Sequence, residues 1–173
     1  FACGTVSVRV TYTGAITTNT ALHLVGNLNI NAGACAITLT YAGNDFVGAV
    51  NLFNSGNNAV ATTDANAIDL GTVTVGGSLD VNATGAITDS GVLTVAGTTT
   101  LVAGSANNIV LDTAANNFNN VSVTSTNDVT LVDGTGDIII ATNLNGSLDV
   151  LTTNGDITVN DSGDLVIASI NAN

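Results

Sequence analysis

The groups of this 173-residue chain best suited to acid–base, metal or redox chemistry are few. They are 13 carboxylates, all of them Asp, one imidazole at His23, one guanidinium at Arg9 and the thiols of Cys3 and Cys35. Paired carboxylates suggest glycoside hydrolysis, which needs an acid of raised pKa and a second carboxylate across the scissile bond. The nearest pairs are Asp161 with Asp164 and Asp133 with Asp137. Elimination on acidic sugars would also need cations to hold the substrate, and the chain has no Lys. Most of the acids instead open strands: Asp128, Asp137, Asp156 and Asp164 each stand just before Val, Ile or Leu. Catalysis is therefore not expected.

The thiols leave two readings open. Cys3 and Cys35 are unrelated free thiols, or they form a disulfide that clamps the N-terminal part of the fold in an oxidising compartment. Such a bridge would close a loop of about 30 residues and contribute roughly 2–4 kcal/mol. Zinc is disfavoured, since His23 is the one nitrogen ligand that could join the thiols. Calcium would need hard oxygens at turns, and Asp133, Asp137, Asn160 and Asp161 supply them. Neither a glycine-rich nonapeptide calcium repeat nor an EF-hand loop is present. Asp and Asn closing their own turns is the simpler account, so no cofactor or metal is expected. Thr-x-Thr occurs at Thr11, Thr38, Thr72, Thr98 and Thr124, a pattern that would suit ice if it lined one flat face.

What must position these groups is β structure. Glu, Gln, Lys and Met are absent, which removes most strong helix formers, while Val, Ile and Thr abound. Apolar and polar residues alternate in short bursts such as Val6-Ser7-Val8-Arg9-Val10, Leu22-His23-Leu24, Leu79-Asp80-Val81 and Ile157-Thr158-Val159. Period two means strands with one buried face. Gly, Asn, Asp or Ser separates the bursts roughly every 7–10 residues.

A longer period overlies this one. GAITTNTALHLVGNLNINAG, from Gly14, lies over GAITDSGVLTVAGTTTLVAG, from Gly85, at an offset of 71. ITLTYAGNDF, from Ile37, lies over IVLDTAANNF, from Ile109, at an offset of 72. GSLDV at Gly77 recurs at Gly146, and TGAIT from Thr84 is echoed by NGDIT from Asn154. One domain, 1–173, thus holds about two and a half copies of a unit of about 70 residues, at 5–75, 76–145 and 146–173. Each burst is too short to stand alone, and stacked coils would bury the apolar positions in a continuous core. The expected fold is all-β, a parallel β-helix (β-solenoid) of about seven three-faced coils, with about 24 residues per coil and nine strands per unit. At ~4.8 Å per rung the rod would be about 35 Å long. The rival is an antiparallel sandwich, whose hairpins lean on Asn-Gly and Asp-Gly turns. These occur only at Asn145, Asn154 and Asp133.

Alignment of the copies bears on the single residues. His23 lies over Thr94 and Arg9 over Asp80, so both are expected at the surface. Thr38 and Thr98 lie over Val110 and Asn27, so Thr-x-Thr is not a fixed feature of the unit. Phe46 and Phe118 match each other and are expected to plug the core rather than stack on a ligand. Asn57-Asn58, Asn107-Asn108 and Asn119-Asn120 are expected at corners, forming side-chain ladders between coils.

A net charge of −12 excludes nucleic acid of the usual kind as a partner and disfavours anionic membranes. Disorder is excluded by 45% regularly spaced apolar residues. No apolar run approaches the ~18–20 residues of a membrane helix, so no membrane insertion is expected. No basic segment precedes an apolar one, so no signal peptide is read, and the start at Phe1-Ala2-Cys3-Gly4 suggests a processed or excised chain.

The run Gly97-Thr98-Thr99-Thr100-Leu101, Ala103-Gly104, Ile109-Val110-Leu111-Asp112 and Ala115-Asn116-Asn117-Phe118 resembles repeats of large filamentous-haemagglutinin-like adhesins of the bacterial surface. So do AGNDFVGAVNL from Ala42 and TDANAIDLGTVTVGGSLDV from Thr63. The resemblance runs from Gly14 to the C-terminus and includes the order of the motifs. It implies right-handed winding, an extracellular or cell-surface location, stalk or adhesin work, and a host or matrix glycan or protein as partner. Arg9, His23, Cys3 and Cys35 have no counterpart in the second copy. Three functions fit: a structural or adhesive segment, a filament subunit that associates end to end with itself or with neighbouring repeats, and an ice- or glycan-binding surface.

Overall fold

Alternation along the chain decides the architecture. The computed structural model describes residues 8–11, 14–124, 127–144, 146–161 and 166–172. Val50–Asn54, Val60–Asp64, Leu79–Ala83 and Val129–Asp133 each bury their first, third and fifth side chains. A short strand with one apolar face and two open edges needs a like strand on each edge. Among the described residues there is no helix, and every strand pairing is parallel. The sandwich is thereby excluded, because its neighbours run antiparallel. The chain is a β-solenoid.

The coils are shorter than the roughly 24 residues expected from nine strands per unit. Register partners lie from 19 residues apart, as in Val60 with Leu79, to 23 apart, as in Ile37 with Val60. One side of the solenoid stacks Ile16, Ile37, Val60, Leu79, Thr99, Val121, Ile140 and Val159, which is seven steps. A second side stacks Ile68, Ile87, Ile109, Val129, Leu148 and Ile167, with His23–Leu24 and Asp45–Phe46 paired above. The third side begins at Val8–Thr11 and passes through Leu28–Asn31, Val50–Asn54, Val73–Val75 and Leu93–Val95 to Phe118. Below Phe118 this side narrows to turns at 134–137 and 153–156, and the coils shorten to 19 residues.

The repeat of the sequence and the coil of the fold do not coincide. Ile16 and Ile87 are 71 residues apart and equivalent, yet Ile16 stands on the first side and Ile87 on the second. Ile37 and Ile109 are split in the same way, as are Leu79 and Leu148. From Ile16 to Ile87 the chain passes ten sides, three coils and one side more, instead of the nine expected. Each unit is therefore turned by one side relative to the one before it.

Inward side chains from Leu28 to Val150 merge into one apolar column, with Phe46 and Phe118 the largest among them. Register shifts interrupt three of the ladders, and in one of them Val50 pairs with Leu70 but Leu52 with Val73. Asn51 fills it: its Oδ1 accepts the Thr72 N–H at 2.7 Å, and its Nδ2 donates to the Leu28 carbonyl at 3.2 Å. Gly71 makes room, since a Cβ there would lie 2.3 Å from Asn51 Oδ1.

Candidate functional site

Four of the buried polar side chains, Asn44, Asp64, Asn116 and Asp133, lie inside two corners built alike. In the first, the Leu22 N–H donates to Asn44 Oδ1 at 3.0 Å, and Asn44 Nδ2 donates to the Leu39 carbonyl at 2.9 Å. Two residues on, Phe46 fills the core while its N–H donates to Asp64 Oδ2 at 2.9 Å. Asp64 Oδ1 also accepts the Asn66 N–H at 2.8 Å. In the second corner the Leu93 N–H donates to Asn116 Oδ1 at 2.8 Å, Asn116 Nδ2 donates to Asp89 Oδ2 at 2.6 Å, and the Phe118 N–H donates to Asp133 Oδ1 at 3.0 Å. Each cassette ties three successive coils through buried side chains. A backbone N–H turned inward must find an acceptor, because burying it unpaired costs about 1–3 kcal/mol.

Burial sets the charge state of these acids. It pushes the Asp64 carboxyl above its ordinary 3.8, with Asp45 adding like-charge repulsion against the two N–H donors that pull it down. Asp133 is pushed up to about 6 for the same reason, again against two backbone donors, Phe118 and Thr135. Asp128 goes the other way, since both the N–H and the hydroxyl of Ser147 donate to its Oδ1 at 2.9 Å. Asp133 does not share its surroundings with Asp137. It is buried, whereas Asp137 is exposed and accepts the Asp156 N–H at 3.0 Å.

The remaining candidates are scattered. Cys3 and Asp164 lie outside the described residues, and with them the Cys3–Cys35 bridge and the Asp161–Asp164 pair; Cys35 is half-buried against the core. His23 is 65% exposed and its Nδ1 lies 2.7 Å from Asp45 Oδ2 on the coil below. Among the described residues no three His, Cys or Asp side chains gather closely enough to hold a metal ion. The Asn residues do sit between coils, but most bond backbone rather than each other. Asn58 donates to the Ala34 carbonyl, Asn107 to that of Thr84 and Asn119 to that of Ala96. Asn127 with Asn108 is a side-chain pair of the kind expected. An amide reaching a carbonyl one coil away closes a corner that a parallel ladder leaves open.

On the outer surface of the first side, Thr38 and Thr100 share a row with Ala61 and Asp80 between them, while Thr72 belongs to the third side. The Thr-x-Thr motifs therefore do not form a flat array. Ala61 instead leaves a groove of about 300 Å³ bordered by Thr40, Thr63, Asp80, Asn82, Thr100 and Val102. Hydroxyls, one amide and one carboxylate over small apolar side chains suit a neutral, hydroxyl-rich ligand and repel an anion.

A family described as repeats of unknown function (DUF5649) matches residues 2–53 and 56–125. The chain belongs to that family. The DUF5649 boundaries fall between the halves of each cassette. Asn44 and Phe46 lie in the first match and their Asp64 in the second, while Asn116 and Phe118 lie in the second match and Asp133 beyond it. Asp64 of the second stretch thus caps Phe46 of the first, and Asp133, beyond the second stretch, caps Phe118 within it. No curated protein and no solved structure matches the chain.

Sequence reasoning found the aligned Phe residues but missed Asn44, Asn116 and Asp64. The signal was present, since Asn stands two residues before Phe in both copies and Asp64 and Asp133 each close a Val-initiated burst of five.

Proposed function

We propose that this chain is a shaft segment of an extracellular or cell-surface bacterial protein, with structural or adhesive work and no catalysis or cofactor. The observation that carries this reading is the uninterrupted stack of seven coil steps around one apolar column, tied across DUF5649 boundaries by Asp64 and Asp133. Such a stack resists bending because each coil shares both strand edges with its neighbours. The resemblance to surface adhesins supports the location, and the groove over Ala61 is where a host or matrix glycan would bind. An antibody raised against the folded chain should label intact cells of the source organism. Labelling that appears only after permeabilisation would remove the surface assignment.

One observation favours a second reading, end-to-end association. Ile157 and Val159 are only half-buried, and Val166, Ile167 and Ile170 are 61%, 51% and 43% exposed. A second copy stacking its coils on this end would cover them and pair their backbone edges. Sedimentation should then show oligomers that grow with concentration. A monodisperse species of 17.1 kDa at all concentrations rules this out.

A further inference from the structure

Three strands of five residues end in a buried Asx at a corner: Val50–Asn54, Val60–Asp64 and Val129–Asp133. Each Asx accepts the N–H two residues on, from Gly56, Asn66 and Thr135 respectively. At the first corner the side chain is neutral and completes its bonding by donating Nδ2–H to the Cys35 carbonyl at 2.5 Å. At the other two it is a carboxyl, and both are fully enclosed.

Among the described residues no cationic side chain faces these two groups; only backbone N–H donors favour their charge. The chain has no Lys, and its one Arg, Arg9, is in the strand paired with Leu28–Asn31 at the top of the third side. The coil above Asp64 presents Asp45, a like charge whose own partner is His23, and the coil below presents Ala83 and Thr84. Around Asp133 the coil above presents Asn116 and Phe118, the coil below Thr152 and Thr153, and Asp137 stays exposed in the turn that follows. Asp133 Oδ2 has no hydrogen-bond partner among the described residues. An ionised oxygen left in that position is far costlier than a neutral one.

We propose that Asp64 and Asp133 are acid-set latches between coils, protonated and holding firmly in mildly acidic surroundings and loosening toward neutral pH. The Asn at 54 is the same corner made permanently neutral. The raised Asp133 carboxyl agrees. A folded-state value of about 6 against 3.8 means that its stabilisation is complete below 3.8 and is lost as pH rises through 6. For Asp133 alone the folding equilibrium should fall roughly tenfold between pH 5 and 7.5.

Urea unfolding of the full chain at pH 5 and pH 7.5 tests this, with Asp64→Asn, Asp133→Asn and the double variant alongside. The wild-type midpoint should be higher at pH 5. The double variant should be the more stable chain at pH 7.5 and should lose the acid-side gain. A wild-type midpoint as high at pH 7.5 as at pH 5, or an acid-side gain that survives in the double variant, overturns the proposal. Should the variants fail to fold, carboxyl carbon NMR of the wild type decides. Two Asp resonances titrating well above the rest support the latches, and all Asp titrating near 4 rejects them.

Discussion

At the scale of the residue, the side chains that do most are those that answer an inward-facing backbone group. Asn116 satisfies the Leu93 N–H and in turn donates to Asp89, all within the wall of the solenoid. Its replacement by Ala leaves that N–H buried without an acceptor, and the expected loss is about 1–3 kcal/mol in urea unfolding. His23 makes the contrast. Its contact with Asp45 is short, but the imidazole is largely in water, so His23→Thr, the residue of the second copy, should change stability by less than about 0.5 kcal/mol. If the two substitutions cost the same, the corners do not pin the coils. Asp128 adds a third case, with opposite pH dependence to the buried acids. Its bonds to Ser147 favour the charged form, so that contribution holds at and above 3.8 and fades as pH falls further. With Asp64 and Asp133 already weakening as pH rises above 3.8, maximum stability should lie near 3.8.

At the scale of the element, strands differ in what covers them. Leu79–Ala83 has a partner on each edge and a fully alternating buried face. Val166–Ala172 pairs along one edge with Ser147–Thr152, across a register shift, and every one of its residues is exposed. Local opening costs least where few apolar contacts are lost. Hydrogen exchange should therefore be fastest in Val166–Ala172 and slowest through Leu79–Val102. Equal protection along the chain would mean that the last coil is covered, as end-to-end association would cover it. The bulge at Gly71 belongs to this scale too, since one missing Cβ lets Asn51 carry the ladder across a change of register.

At the scale of the whole molecule, the mismatch between a unit of about 70 residues and coils of 19–23 governs what the surface can present. Equivalent residues emerge one side further round in each unit, so a motif repeated along the sequence is spread about the axis. That geometry works against a flat array of identical side chains, as ice binding would require. It does not disturb the core, because Leu, Ile and Val on any side point into the same column. Nor does it disturb the corners, because the Asn–Phe–Asp arrangement depends only on neighbouring coils.

Strands, burial and parallel stacking were legible in the sequence because period-two alternation and the scarcity of hairpin turns are local properties of the chain. Val50–Asn54 can bury alternate residues in only one way, and Phe46 and Phe118 had to be large apolar plugs of one kind of position. Coil length, the turning of successive units and the roles of Asn44, Asn116, Asp64 and Asp133 were decided by tertiary structure. These follow from which residue lies 19–23 positions away across a coil, a relation between backbones that side-chain pattern does not encode. An Asp closing its own turn and an Asp capping a phenylalanine one coil above look alike until the coils are stacked.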